Sequence, residues 1–215
     1  MKLKVKWYRP KPIETFLSFF VGWVIDRRAL QFYRRGFRQL AIFSHDYVGN
    51  RINIDGVYDL EELNMVFYWL VENRVEMDNS VAIEIGANIG NHSLFFSDYF
   101  SEVHAFEPNP RTFELLSINC RQKNIICHMV GLAAKQAESF IVEYPPNIGG
   151  SKVNQNEHDR NDLSPRRKIT LDVLDNVTSE IKNILLLKID VEGFELEVLK
   201  GAENVFKKTF SNHFV

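Results

Sequence analysis

Cysteine is scarce in this 215-residue chain: Cys120 and Cys127 are its only thiols, too few for a disulfide framework and at a spacing that matches no zinc-ligand pattern. A reducing, cytosolic setting is therefore expected. A bilayer-spanning apolar run is lacking as well. The stretch "IETFLSFFVGWVI" covers 13 residues from Ile13 to Ile25, whereas a spanning helix needs roughly 20. It is followed by "DRRALQFYRR" where a signal peptide would place small residues for cleavage, so secretion is not expected. No recognisable nucleic-acid-reading module is present and the chain beyond residue 40 is acidic, which argues against a nucleic-acid partner.

What is present is enough apolar material, 45% of residues, to bury one full core, with charge unevenly divided. Residues 1–40 hold ten Lys/Arg against Glu14 and Asp26, a net +8, so the remainder carries −10. The basic, aromatic segment 1–44 is expected to be a helical extension beside a domain over 45–215. Its charges then form a solvated face, with peripheral contact to an anionic membrane surface as the alternative.

Within the domain, "FSHDYVGNRINIDGVYDLEELNMVFYWLVEN" predicts short β-like pieces and then a helix from about Asp59 to Glu72. In it Leu60, Leu63, Val66, Phe67 and Leu70 recur at spacings of three and four. Asp59 is the candidate N-cap, with Glu62 completing a capping box. "SVAIEIG" has the unalternating apolar pattern of a parallel strand buried on both faces. A helix over "NHSLFFSDYF" and a strand over "SEVHAFEP" complete a β-α-β unit. Asn109 and Pro110 then open another helix carrying Phe113, Leu116 and Cys120, and "IICHMVGLAA" is a third strand. Residues 144–168, rich in Pro, Gly, Asn and charge, predict a mobile loop near the ligand or a disordered insertion. "KITLDVLDNV" restores order, with Asp172 beginning a helix. "NILLLKIDVEGFELEVLKGA" supplies a strand, an acidic turn and a helix. The architecture is α/β, a Rossmann-like doubly wound, mostly parallel sheet.

In such sheets ligands bind beyond the carboxyl ends of the strands, and Glu84, Asn88, Glu107 and Asp190 all fall there. Gly86 and Gly90 give the turn after the first strand its backbone freedom. Glu107 follows Gly90 by 17 residues, near the spacing at which an acidic side chain accepts hydrogen bonds from ribose hydroxyls. The loop Glu84-Ile85-Gly86-Ala87-Asn88-Ile89-Gly90 lacks the middle glycine of a dinucleotide fingerprint. Its acidic residue would oppose a pyrophosphate but could accept bonds from an amino-acid ammonium group. S-adenosylmethionine is the cofactor these features favour, ahead of a nicotinamide dinucleotide.

Three segments, "EIGANIGNHS", "FEPNPRTFELLSINCRQKN" and "LLKIDVEGFELEVLKGA", make the chain resemble the FkbM-type methyltransferases, class I S-adenosylmethionine-dependent enzymes, over about residues 45–203. The resemblance implies that Glu84, Gly86, Asn88 and Gly90 line the methionine and ribose side of the cofactor. Glu107 would hold the ribose, and Pro108 and Asn109 would shape the adenosine edge. Gly131 and Leu132 would border adenine, chiefly through backbone. Asp190 would face both methionine and acceptor, with Glu192 and Glu195 at the substrate mouth. It further implies methylation of a hydroxyl oxygen on a saccharide or other small molecule, with no obligatory metal. Asp190 and Glu192 are the candidates to receive the hydroxyl proton, with His92 and His45 behind them.

Simpler roles compete: helix capping for Asp190, a cap or ion pair for Glu107, packing or surface positions for the two histidines. Family members close their sheet with a further strand and a reversed hairpin, and the 14 residues from Ala202 to Val215 are too few for both. A C-terminally shortened domain is therefore expected, and the alternative functions are a cofactor-binding or inert remnant of the fold and, behind it, a nicotinamide-linked oxidoreductase. The acceptor, the oligomeric state and the role of the arm are not encoded in any diagnostic motif.

Overall fold

The computed structural model describes residues 11–121, 124–144, 147–154 and 165–207. Three helices come first: α1 (Pro12–Arg34), α2 (Tyr47–Asp55) and α3 (Leu60–Glu72). An alternating region follows with β1 (Val81–Ile85), α4 (Asn91–Phe96), β2 (Glu102–Phe106), α5 (Pro110–Asn119) and β3 (Ile125–His128). Then come β4 (Gly131–Leu132), β5 (Ala137–Tyr144), β6 (Asn147–Asn154), β7 (Arg166–Asp172), α6 (Leu174–Val177), β8 (Ile184–Ile189) and α7 (Glu195–Lys200).

Two four-stranded sheets result. The first is parallel in the order β3-β2-β1-β8. All five residues of β1 are buried, which explains its lack of polar alternation. Because β2 lies on one side of β1 and β8 on the other, the strand order reverses at β1, and a crevice opens at its carboxyl end. Ile83, Ile85, Phe106, Leu174 and Val198 fill one core face, while Leu63, Phe67, Phe96, Phe100 and Val103 fill the other.

The second sheet has the order β4-β7-β5-β6. β5 runs antiparallel to both β6 and β7, and the short β4 is parallel to β7. The expected third strand over "IICHMVGLAA" is thus two strands in two sheets, β3 and β4, because the chain turns between His128 and Gly131. The loop expected over 144–168 is corrected as well. Residues 147–154 form β6, paired with β5 from Phe140↔Asn154 to Tyr144↔Asn147; residues 155–164 of that loop lie outside the described residues.

Two local expectations also change. The β-like pieces before α3 are helix α2, whose N-cap Asp46 accepts from the amides of Val48 and Gly49 at 3.1 and 3.4 Å. Asp59 precedes α3 but makes no capping bond; its backbone is left-handed, with φ 55°, and its carboxylate turns towards His92 instead. By contrast Asn109 does cap α5, accepting from the Arg111 amide at 3.1 Å ahead of Pro110. Of the 14 residues after Gly201, 203–207 are helical and 208–215 lie outside the described residues.

Candidate active site

Two cavities meet at the carboxyl ends of β1 and β8. One, a narrow cleft of about 60 Å³, runs between the two sheets. Gly86, Asn88, Glu107, Pro108 and Asn109 line it on one side, and Gly131, Leu132, Val153 and Phe194 on the other. The second, of about 140 Å³, opens towards α2 and is lined by Tyr47, Tyr58, Glu84, His92, Gly150 and Lys188 among others. Gly86, Asn88, Asp190 and Glu192 belong to both, so they form the wall between them.

The turn after β1 is shaped by close backbone contact. Gly86 has φ +85°, and a Cβ there would lie 1.9 Å from the carbonyl oxygen of Asp190. The amide of Asp190 in turn donates to the Ile85 carbonyl at 2.9 Å, locking the end of β8 onto β1. Gly90, at φ +89°, lies over Cys120 and Leu116, where a Cβ would come within 2.8 Å of each. The first glycine therefore admits a neighbouring strand's backbone, and the second seats α4 on α5.

Glu107 sits 7% exposed at the end of β2. Its Oε2 accepts from the Asn88 amide at 3.0 Å and its Oε1 from the Asn109 amide at 2.9 Å. Burial pushes its carboxyl up to about 7 even though both amides favour the charged form; the nearby Glu84 adds to the rise. Each oxygen keeps a further lone pair for a hydroxyl donor.

Glu84 is 1% exposed and carries a denser set of partners. Ser93 Oγ donates to Oε2, Lys188 Nζ lies 3.2 Å from Oε1, and His92 Nδ1 lies 3.5 Å from the same atom. Burial opposes its charge, but Lys188, His92 and Ser93 outweigh it and hold the carboxyl below its ordinary value. Lys188 also reaches Asp190 Oδ2 at 3.3 Å; burial disfavours its charge, yet the two carboxylates raise its pKa. His92 is buried, and its Nε2 makes no hydrogen bond among the described residues; the closest acidic atom is Asp59 Oδ2 at 3.9 Å. Its ring stacks on Tyr58. Burial and the neighbouring Asp59 push the Tyr58 hydroxyl up to about 12.

Of the residues singled out in the sequence, Glu84, Gly86, Asn88, Glu107, Pro108, Asn109, Gly131, Leu132, Asp190 and Glu192 line one cavity or both. Gly90 supports the loop from behind. Asp190 does not cap α7, and its side chain is 57% exposed. Glu195, expected at the substrate mouth, instead folds back on its own turn, accepting from the amides of Gly193 and Val191 at 3.0 and 3.4 Å. His45 lies in an exposed turn before α2 and lines neither cavity. Asp172 ends β7 rather than beginning a helix: the N-cap of α6 is Val173, and the Asp172 carboxylate accepts from the Val173 amide and the Asn176 side chain.

Lys188 and Tyr58 were not foreseen as site residues, whereas Gly150, Ser151 and Val153 lie in the 144–168 segment expected near the ligand, but on a strand instead of a loop. A signal for Lys188 existed: "VAIEI" and "ILLLKI" are apolar strands with one charged residue each, of opposite sign. The register Glu84↔Lys188 sets them side by side.

An open parallel sheet whose order reverses at β1, with paired cavities at that point and acidic residues ending β1, β2 and β8, defines the α/β architecture of class I methyltransferases. The methyltransferase FkbM domain model matches residues 84–213, and the chain belongs to that family. It is 30% identical to Methyltransferase 1 of Beauveria bassiana over 59% of this chain and 60% of that protein. It is 29% identical to the hexuronic acid methyltransferase AglP of Haloferax volcanii over 70% of this chain and 61% of that protein. The chain thus spans about 60% of the length of these curated relatives. Among solved structures, the methyltransferase FkbM of Methylobacillus flagellatus aligns with 63% of this chain and 31% of its own at 21% identity, with a TM-score of 0.39.

Proposed function

We propose that this chain transfers a methyl group from S-adenosylmethionine to a hydroxyl oxygen of a saccharide or other small molecule. The observation that carries the reading is the pair of cavities divided by Gly86, Asn88, Asp190 and Glu192, with the buried Glu107 carboxylate in one and the Glu84–Lys188–Asp190 cluster in the other. The first suits adenosine: Leu132 and Phe194 offer apolar walls, and Glu107 has acceptor capacity left for ribose hydroxyls. The second suits the amino-acid end and the acceptor. Lys188 offers charge to a carboxylate, and Glu84 and Asp190 can accept from an ammonium group.

Bound across the wall, the sulfonium cofactor would supply a methyl group already activated for transfer. The chain's own residues would then hold the acceptor oxygen in line and take its proton. Asp190 and Glu192 are exposed on the shared wall and fill that role, while His92, steadied by Glu84, stands deeper in the second cavity. The name of the Haloferax relative supports a saccharide acceptor.

Calorimetric titration with S-adenosylhomocysteine tests the cofactor half of the reading, and labelled methyl transfer to a panel of saccharides tests the other. Wild type is expected to bind with micromolar affinity, and Glu107→Ala to bind about 10- to 100-fold more weakly, the worth of one or two hydrogen bonds to a charged group. A folded wild type that ignores S-adenosylhomocysteine, or binds a nicotinamide dinucleotide in its place, would overturn the proposal. Binding without transfer to any acceptor would favour the cofactor-binding remnant.

A further inference from the structure

Helix α1 is the part of the molecule that neither cavity uses. None of its 23 residues is buried, although Phe16, Phe19, Phe20, Trp23 and Leu30 are among them, at exposures from 48% to 76%. Its C-terminal half is nonetheless anchored. Phe32 packs on Phe37 with ring centroids 5.4 Å apart, Arg28 donates to the Ile54 carbonyl at 3.1 Å, and Ile25, Ala29 and Phe32 face a cavity shared with Phe37, Ile42 and Ile52. At 3.6 residues per turn, the side opposite those anchors carries Phe16, Phe20, Trp23, Arg27, Leu30 and Arg34, at successive spacings of four and three. The outward face is therefore aromatic at one end and basic at the other. The Arg27 guanidinium lies over the Trp23 ring at 4.8 Å, joining the two.

We propose that this face lays α1 in the plane of an anionic lipid surface, with Phe16, Phe20 and Trp23 entering the boundary between headgroups and acyl chains and Arg27 and Arg34 meeting lipid phosphates. Length excludes spanning: the apolar stretch from Ile13 to Ile25 covers about 20 Å as a helix against a hydrocarbon core of about 30 Å. No helix among the described residues is long and apolar enough to cross a membrane. Tryptophan and arginine on one face suit an interface, where the ring sits at headgroup depth and the guanidinium reaches back to phosphate. Charge selects the partner. Residues 1–40 carry +8, so a second copy that covered the aromatic end with its own aromatic face would set two basic segments together, giving apolar cover without a charge complement. A bilayer with anionic headgroups offers both.

The test is co-sedimentation of the full chain with vesicles of phosphatidylcholine alone and with about 30% phosphatidylglycerol, at low and high salt. Wild type is expected to pellet with the anionic vesicles at least about tenfold more strongly than with the neutral ones, and to be released by salt. Phe20→Glu with Trp23→Glu, and separately Arg27→Glu with Arg34→Glu, are each expected to lower partitioning at least about tenfold with an unchanged circular dichroism spectrum. Ser18→Gln, away from this face, is expected to leave it unchanged. Absence of wild-type binding to anionic vesicles, or face variants that bind as wild type does, would overturn the proposal. So would a lipid-free dimer that the Phe20→Glu, Trp23→Glu variant dissociates while vesicle binding is missing, since a second copy would then occupy the face.

Discussion

Glu107 shows how one side chain joins fold and function. Its carboxyl titrates near 7 because it is buried, and the rise from the ordinary 4.5 to about 7 corresponds to about 3 kcal/mol in favour of the neutral form. The sign follows for stability: the folded state holds the proton more tightly, so this contribution is complete below 4.5 and lost as the pH climbs through 7. For ligand binding the sign reverses. A carboxylate that already accepts one backbone amide on each oxygen can take a further hydroxyl donor on both only in its ionised form. S-adenosylhomocysteine affinity is therefore expected to rise about tenfold between about pH 6 and 8 and then level off. Glu107→Gln should give weaker binding and a flat profile. Calorimetry across that range decides it, and an unchanged slope in the variant would place the titrating group elsewhere. Glu107 and Glu84 were legible as single residues because each closes an apolar strand with a charge. The Glu84–Lys188 pair was less so, since it depends on which strand neighbours β1, a fact of topology rather than of local pattern.

At the scale of elements, the turn after β1 is held by steric contact as much as by hydrogen bonds. A methyl group on Gly86 would meet the Asp190 carbonyl at 1.9 Å, whereas one on Gly193, at the similar φ of +90°, would meet nothing within 4 Å. Both substitutions force an L-residue into the left-handed region, at about 1 kcal/mol. Only Gly86→Ala also drives β8 away from β1. It is expected to cost at least about 2 kcal/mol more than Gly193→Ala, a further fall of about 4–8 °C in melting temperature for a chain of this size. Equal losses would show that the contact at Asp190 yields freely.

The same physics explains what the sequence left hidden among the elements. α2 contains Gly49, Asn50 and Asn53, poor helix formers, yet it forms because Asp46 caps it and because Gly49 lets it approach residue 43, where a Cβ would come 2.6 Å from the Phe43 carbonyl. β6 includes Gly149 and Gly150, which read as loop, and owes its existence to the ladder with β5. Helices α3, α4 and α5 were legible because their apolar periodicity or their caps are local.

For the molecule as a whole, the issue is what keeps the two sheets in register so that the cavity between them keeps its shape. Backbone passes between them at residues 129–130 and again at 173–183, and a buried polar tie joins them at Glu143 on β5, 1% exposed. Its Oε1 receives Arg167 Nε at 2.6 Å from β7 and Asn109 Nδ2 at 3.0 Å from the start of α5, and Arg111 Nη1 lies 3.7 Å from Oε2. Asn109 also donates its amide to Glu107, so the tie reaches the cavity wall through a single residue. Burial opposes the Glu143 charge, but Arg167, Asn109 and Arg111 together hold its carboxyl below the ordinary value. Its contribution is therefore present above 4.5 and lost as the pH falls through its depressed folded value. Glu143→Gln is expected to cost about 2 kcal/mol at neutral pH, less than a fully buried pair because Arg167 is 41% exposed. The cost should shrink as the pH drops below 4.5. Hydrogen exchange separates a local from a global effect. Faster exchange is expected in β5 and β7, with β1 and β2 protected as before, together with a several-fold loss of S-adenosylhomocysteine affinity transmitted through Asn109. If β1 and β2 open equally, the two sheets form one cooperative unit and Glu143 acts on its stability rather than on the shape of the cavity.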